Sequence, residues 1–130
     1  MDKALHMEVV ETPAYLHFVV RGSNSLANVL EYFERIQLEC ARRKIFRVLI
    51  EEHLDGPRLG MLDVFTIAQK GAELGSGPGR ALAYIDVNAE GTLMRFAEDV
   101  ARNRGLMIRV FTSVDEARLW LSGLPPVPSG

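Results

Sequence analysis

Cysteine is nearly absent. The 130-residue chain has one, Cys40, so it can form no disulfide within itself. Cys40 lies on a helical apolar stripe, where a cysteine ordinarily acts as a small core hydrophobe rather than a nucleophile. An excess of basic charge is also missing: 15 Lys and Arg face 17 Asp and Glu, a formal net charge of −2. That balance gives no electrostatic footprint for nucleic acid or an anionic membrane. No apolar run approaches the roughly 20 residues of a membrane span. The opening MDKALHMEVV has neither the basic start nor the apolar core of a secretory leader. The expectation is a cytoplasmic protein with no membrane span and no nucleic-acid partner.

What is present is ordinary for a globular chain, 48% apolar and 25% charged. A chain this long buries roughly two-thirds of its unfolded surface and needs no covalent staple. One domain over residues 1–124 is expected, with 125–130 (PPVPSG) a flexible tail. HMEVVET (6–12) and AYLHFVV (14–20) read as two strands split by Pro13, which has no amide hydrogen to give a central strand. RGSNS follows as a turn with capping candidates. Apolar residues then recur at helical spacing from Leu26 through Val29, Leu30, Phe33, Ile36 and Cys40, predicting a helix to about Arg43. A strand is predicted over 46–51 and a helix from Met61 to Leu74, with Leu62, Phe65, Ile67 and Ala68 as its core face. GSGPG (75–79) precedes a strand instead of joining a strand to a helix, so it lacks the context of a phosphate-cradling loop. The strand RALAYID (80–86), a helix from Thr92 to Arg104 stopped by Gly105, and the strand MIRVFT (107–112) follow. Ser113 with Glu116 has the form of a capping box for a last helix through Leu121, whose core face is Val114, Ala117, Trp120 and Leu121.

The pattern ββαβαβαβα predicts an α/β fold: a mixed sheet with an N-terminal antiparallel pair, then parallel strands joined by right-handed crossovers. One parity of these strands is apolar and the other is not. Leu16, Phe18 and Val20 alternate with Tyr15 and His17; Phe46, Val48 and Ile50 with Arg47; Ile108 and Val110 with Arg109. The two-residue period of a strand puts His17, Arg47 and Arg109 on one face. The helices are therefore expected largely on the other face. The polar face is then either solvated or a homodimer interface.

A leading strand pair followed by βα units resembles the STAS fold of the anti-sigma-factor antagonist (SpoIIAA-like) proteins. The resemblance covers roughly residues 6–122. Its best local match is ARNRGLMIRVFTSVDEARLWL, similar to the close of small bacterial members. It implies a βα superhelix, shared in outline with lipid-carrying domains. It also implies an Asp-Ser pair opening the helix after the third strand, whose serine a partner kinase phosphorylates. Here Asp55 is followed by Gly56, and no Ser, Thr or Tyr occurs from Glu51 to Val64. The hydroxyl switch is not carried over.

Parallel α/β sheets place ligands beyond the carboxyl ends of their strands. Those ends are RGSNS, EEHLDGPR, DVNAEG and TSVDE, a mixed-charge rim. His53, Asp55, Gly56, Arg58, Leu59, Asp86 and Asn88 are the candidate ligand- or partner-binding residues. Gly56, Pro57 and Gly60 shape a turn into the second helix, and Arg58 near that helix start suits an acidic group. Met61, Leu62 and Phe65 read as core rather than as a ligand lining. Catalytic alternatives are weaker. Glu51, His53 and Asp55 alternate along one segment, but a lone histidine among acids is a poor metal signature. A Ser113–His53–Asp86 set lacks the GxSxG turn. A receiver-type phosphoacceptor would need a strand-end lysine that the last strand lacks. The reading is a non-catalytic regulatory or protein-interaction domain with no cofactor and no metal. A carrier of a small apolar or acidic ligand is the alternative, and an enzyme using the 51–58 loop the third.

Overall fold

A computed structural model of the protein describes residues 3–57, 59–75, 79–86, 98–99, 102–103 and 107–125. Strand β1 (His6–Glu11) turns into β2 (Leu16–Ser23). Helix α1 (Leu26–Arg43), strand β3 (Arg47–Asp55), helix α2 (Met61–Gly75), strand β4 (Ala81–Asp86), strand β5 (Ile108–Phe111) and helix α3 (Val114–Ser122) follow. Residues 98–99 and 102–103 are helical, within the predicted Thr92–Arg104 helix. The rest of that segment, its Gly105 stop, residues 76–78 and residues 126–130 lie outside the described residues.

The sheet order is β1-β2-β3-β4-β5, with β1 antiparallel to β2 and every later pair parallel. Each crossover advances one strand in the same direction, so same-handed connections put their helices on one face. α1 and α2 lie there, over Leu16, Phe18, Val20, Val48, Ile50, Leu82 and Tyr84. α1 contributes Val29, Phe33, Ile36 and Cys40 of the stripe read from the sequence, and Tyr32, which that stripe did not include. Ser25 caps it: its backbone is extended, and its Oγ accepts from the Asn28 amide at 3.2 Å. Each fully buried side chain of this layer contributes roughly 1.5–3 kcal/mol.

The opposite face is not left to solvent along its whole width. α3 packs there, closing a second core of Tyr15, Leu49, Ala81, Ala83, Ile85, Ala117 and Leu121, with Val114 and Trp120 against it. Its predicted cap is present: Ser113 Oγ accepts from the Glu116 amide at 3.2 Å. The expected polar face is therefore divided. Arg47 donates from Nε to the Gly79 carbonyl at 3.3 Å and from its guanidinium to the Pro125 carbonyl, tying down the segment after α3. Arg109 lies 5.4 Å from the Phe111 ring centre and 5.9 Å from that of Trp120. His17 pairs with Glu51 on the β2–β3 side. The three residues share a face but not one patch, because α3 takes the β3–β5 half.

Candidate functional site

β3 runs past Ile50 to Asp55, so half of the predicted loop is strand. Residues 51–55 pair in parallel with Val19–Ser23 of β2, Glu51 beside Val19 and His53 beside Arg21. Alternation then sorts the charged run onto two faces: Glu51, His53 and Asp55 face away from α1, and Glu52 and Leu54 face it.

On the first face two histidines converge on one carboxylate. His17 Nε2 lies 3.0 Å from Glu51 Oε1, and His53 Nε2 lies 2.5 Å from Glu51 Oε2. Partial burial pushes the Glu51 carboxyl up, but hydrogen bonds and charge from His53 and His17 outweigh it and hold its pKa below the ordinary carboxylate value. By its sequence His17 is only a polar residue of the strand face that also carries Arg47 and Arg109. The β2–β3 register is what brings it to Glu51. The available signal was parity: His17 and Glu51 share it on neighbouring strands.

On the helical face Glu52 is buried, 4% exposed, and accepts a hydrogen bond from the buried Tyr32 hydroxyl of α1. Burying a carboxylate is costly without such donors. Glu52 stands in register with Val20 and with Asp86, the last residue of β4.

The carboxyl end of β3 is tied to its neighbours. Lys3 Nζ pairs with Asp55 Oδ2 at 2.8 Å; this hydrogen bond, with the lysine charge, lowers the Asp55 pKa. The Asn24 amide donates to the Asp55 carbonyl at 2.6 Å, and Asn24 Nδ2 donates to the Pro57 carbonyl at 2.9 Å. Gly56 takes φ +119°, a conformation that side chains disfavour, and so makes the turn possible. Leu59 packs against the main core. α2 then begins, with Asp63 in its first turn, where a negative charge suits the helix dipole.

The first turns of α2 overturn one expectation. Met61, Leu62 and Phe65 are not core: they are 58%, 83% and 40% exposed. α2 carries two apolar stripes, and the sheet takes the one with Val64, Gly71 and Leu74. Gly71 lies on this stripe, where a β-carbon would make only ordinary contact with the Phe33 ring at 3.7 Å; at Gly75 it would meet Ile108 Cγ1 at 2.5 Å, so there the bare backbone lets α2 reach β5. The other stripe is left facing outward beside the 56–60 turn.

Arg58 and Asn88 lie outside the described residues, and Asp86 is placed by its strand position. Ser113 Oγ accepts from the Glu116 amide in capping α3, and His53 Nε2 pairs with Glu51. Among the described residues no group of three or more His, Cys, Asp or Glu is arranged to hold a metal ion. No helix of the described residues is long and apolar enough to cross a membrane. No protein-family model matches the chain, and no curated protein matches it in sequence.

Proposed function

We propose that this chain is a non-catalytic protein-interaction domain of the STAS/SpoIIAA-like type, working without that family's phosphoacceptor serine. The observation that carries this reading is the exposed apolar stripe Met61, Leu62 and Phe65 at the mouth of the charged 51–60 turn. Large apolar side chains grouped on a surface and rimmed by polar residues mark contact sites more often than solvent-facing ones. The turn that leads into it, with Asp55 and Gly56 and, from their places in the sequence, Arg58, Asp86 and Asn88, is assigned to the same contact. The strand pair followed by consecutive parallel strands supports the family likeness at the level of architecture, which by itself specifies no function.

The test compares Leu62→Glu with Leu119→Glu. Both positions are exposed, Leu119 at 75% and on α3, so both variants should fold as the wild type does. A protein bound by the wild type and by Leu119→Glu, and lost from Leu62→Glu, supports the reading. Equal binding by all three removes α2 from the contact. Native mass spectrometry covers the carrier alternative: a retained small-molecule mass, lost from Leu62→Glu, would replace the interaction reading.

A further inference from the structure

The two edges of the sheet are not alike. β5 has four residues, and its Val110 amide donates to Glu98 Oε2 at 2.5 Å, so a side chain occupies that edge. β1 has six residues, no proline, and no strand pairing with its outer edge among the described residues. Such an edge presents a row of backbone donors and acceptors that can pair with another chain.

β1 is also held in place at both ends. Lys3 Nζ is paired with Asp55, and the Lys3 amide donates to Ser23 Oγ at 2.5 Å. At the other end Thr12 Oγ1 accepts from the Tyr15 amide at 2.9 Å, and Glu11 pairs with Arg43 at 3.1 Å. Little ordering would be needed for a strand to add to it.

The direction of its free groups follows from the ladder. The Thr12 amide bonds to the Tyr15 carbonyl at 2.9 Å. In an antiparallel pair such residues alternate, so Val10, Glu8 and His6 turn their backbone groups toward β2, and Met7 and Val9 turn theirs outward. The side chains alternate as well. His6, Glu8 and Val10 are exposed on the open face, and Met7 and Val9 pack at the margin of the main core with Leu5.

We propose that β1 is a self-association edge, across which two copies of this chain join their sheets antiparallel over residues 5–9, with the two-fold axis at Met7. Charge and apolarity select this register. It sets His6 opposite the partner's Glu8 twice by symmetry, in the close-spaced pairs where side chains interact best. On the other face it sets Leu5 opposite the partner's Val9 and Met7 opposite the partner's Met7. Sliding one pair along opposes Glu8 to the partner's Glu8. Sliding another opposes Met7 to the partner's Glu11. Sliding the other way opposes His6 to the partner's His6. An imidazole N–H donates to a carboxylate whether or not the ring is charged, so the favoured pairing does not depend on His6 being protonated.

The test is sedimentation velocity of the full chain with charge-swap variants, their folds checked by circular dichroism. Wild-type protein should populate a dimer at concentrations on the order of 100 µM, where a micromolar-class contact is formed. Glu8→Lys and His6→Glu should each raise the dissociation constant about tenfold or more, since each removes both symmetric pairs. The double variant His6→Glu/Glu8→Lys should restore the dimer by setting a carboxylate at position 6 opposite an ammonium donor at the partner's position 8. Met7→Cys gives an independent reading: oxidation should join two copies through residue 7, because the chain's own Cys40 is buried. A wild type that stays monomeric, single variants that dimerise as tightly as wild type, a double variant that stays dissociated, or a Met7→Cys protein that does not cross-link overturns the proposal.

Discussion

His17 reaches Glu51 diagonally across two parallel strands, Nε2 to Oε1 at 3.0 Å, although Glu51 is in register with Val19. His53 holds the other oxygen of the same carboxylate. Two strands and one charged group are thereby locked together on the half of the sheet that α3 leaves uncovered.

Glu51→Gln should lower stability at neutral pH by about 1–3 kcal/mol, the range for hydrogen bonds to a charged acceptor. The pH dependence follows from the carboxyl pKa, held below its ordinary value near 4.5. A group whose pKa is depressed by folding contributes stability above the unfolded value and loses it as pH falls through the folded one. The difference between wild type and Glu51→Gln should therefore be full above about pH 5 and shrink in acid. Urea unfolding at a series of pH values measures it. A gap that does not narrow below pH 4 contradicts the assignment.

Tyr32→Phe removes the hydroxyl that donates to the buried Glu52. The ring keeps its packing against Phe33, with centroids 4.9 Å apart. The loss is therefore electrostatic rather than steric, and should amount to about 1–3 kcal/mol. Glu52→Gln should cost less than Tyr32→Phe, because a neutral amide is easier to bury than a carboxylate short of one donor. Chemical denaturation of the two variants decides the order.

Where local pattern sufficed, the sequence was legible. α1 is read to within a residue, and both Ser113 and the buried face of α3 follow from spacing alone. β3 outruns the predicted 46–51 because EEHLD looks like a polar loop. Its strand character comes from pairing with Val19–Ser23, a tertiary contact that no window of β3 contains. β2 outruns the predicted 14–20 for the same reason: Arg21, Gly22 and Ser23 have turn chemistry, yet they extend the ladder opposite His53, Leu54 and Asp55. α2 departs from its expected packing for another reason. Two apolar stripes compete on it, and the one with Val64 and Leu74 is buried through packing against α1 and the sheet, which the helix's own sequence does not contain. The hub at Glu51 required knowing which strands are neighbours.

Lys44 ends α1 in the left-handed conformation, φ 58°, where glycine is the usual residue. A residue with a β-carbon pays roughly 1–2 kcal/mol for that conformation. Lys44→Gly recovers it, minus the extra freedom gained by the unfolded chain. The side chain is exposed, so no packing is lost. The variant should be more stable by about 0.5–1 kcal/mol, seen as a higher melting temperature. A lower one would mean that the helix end is not held as described.

Cys40 is 2% exposed between α1 and the sheet. Desolvation pushes its thiol up to about 11, outweighing the lowering effect of Arg80. Only the thiolate reacts with disulfide and alkylating reagents, so at pH 7–8 both access and ionisation are denied. Native protein should resist a thiol-specific chromogenic reagent, and one equivalent should react once urea unfolds the chain. The labelling rate should then track the population of the open state. Raising the pH should speed labelling of native and unfolded protein alike by increasing the thiolate fraction, with the native rate staying far below the unfolded one at each pH. Rapid labelling of the native protein would place Cys40 at an accessible site and remove it from the core.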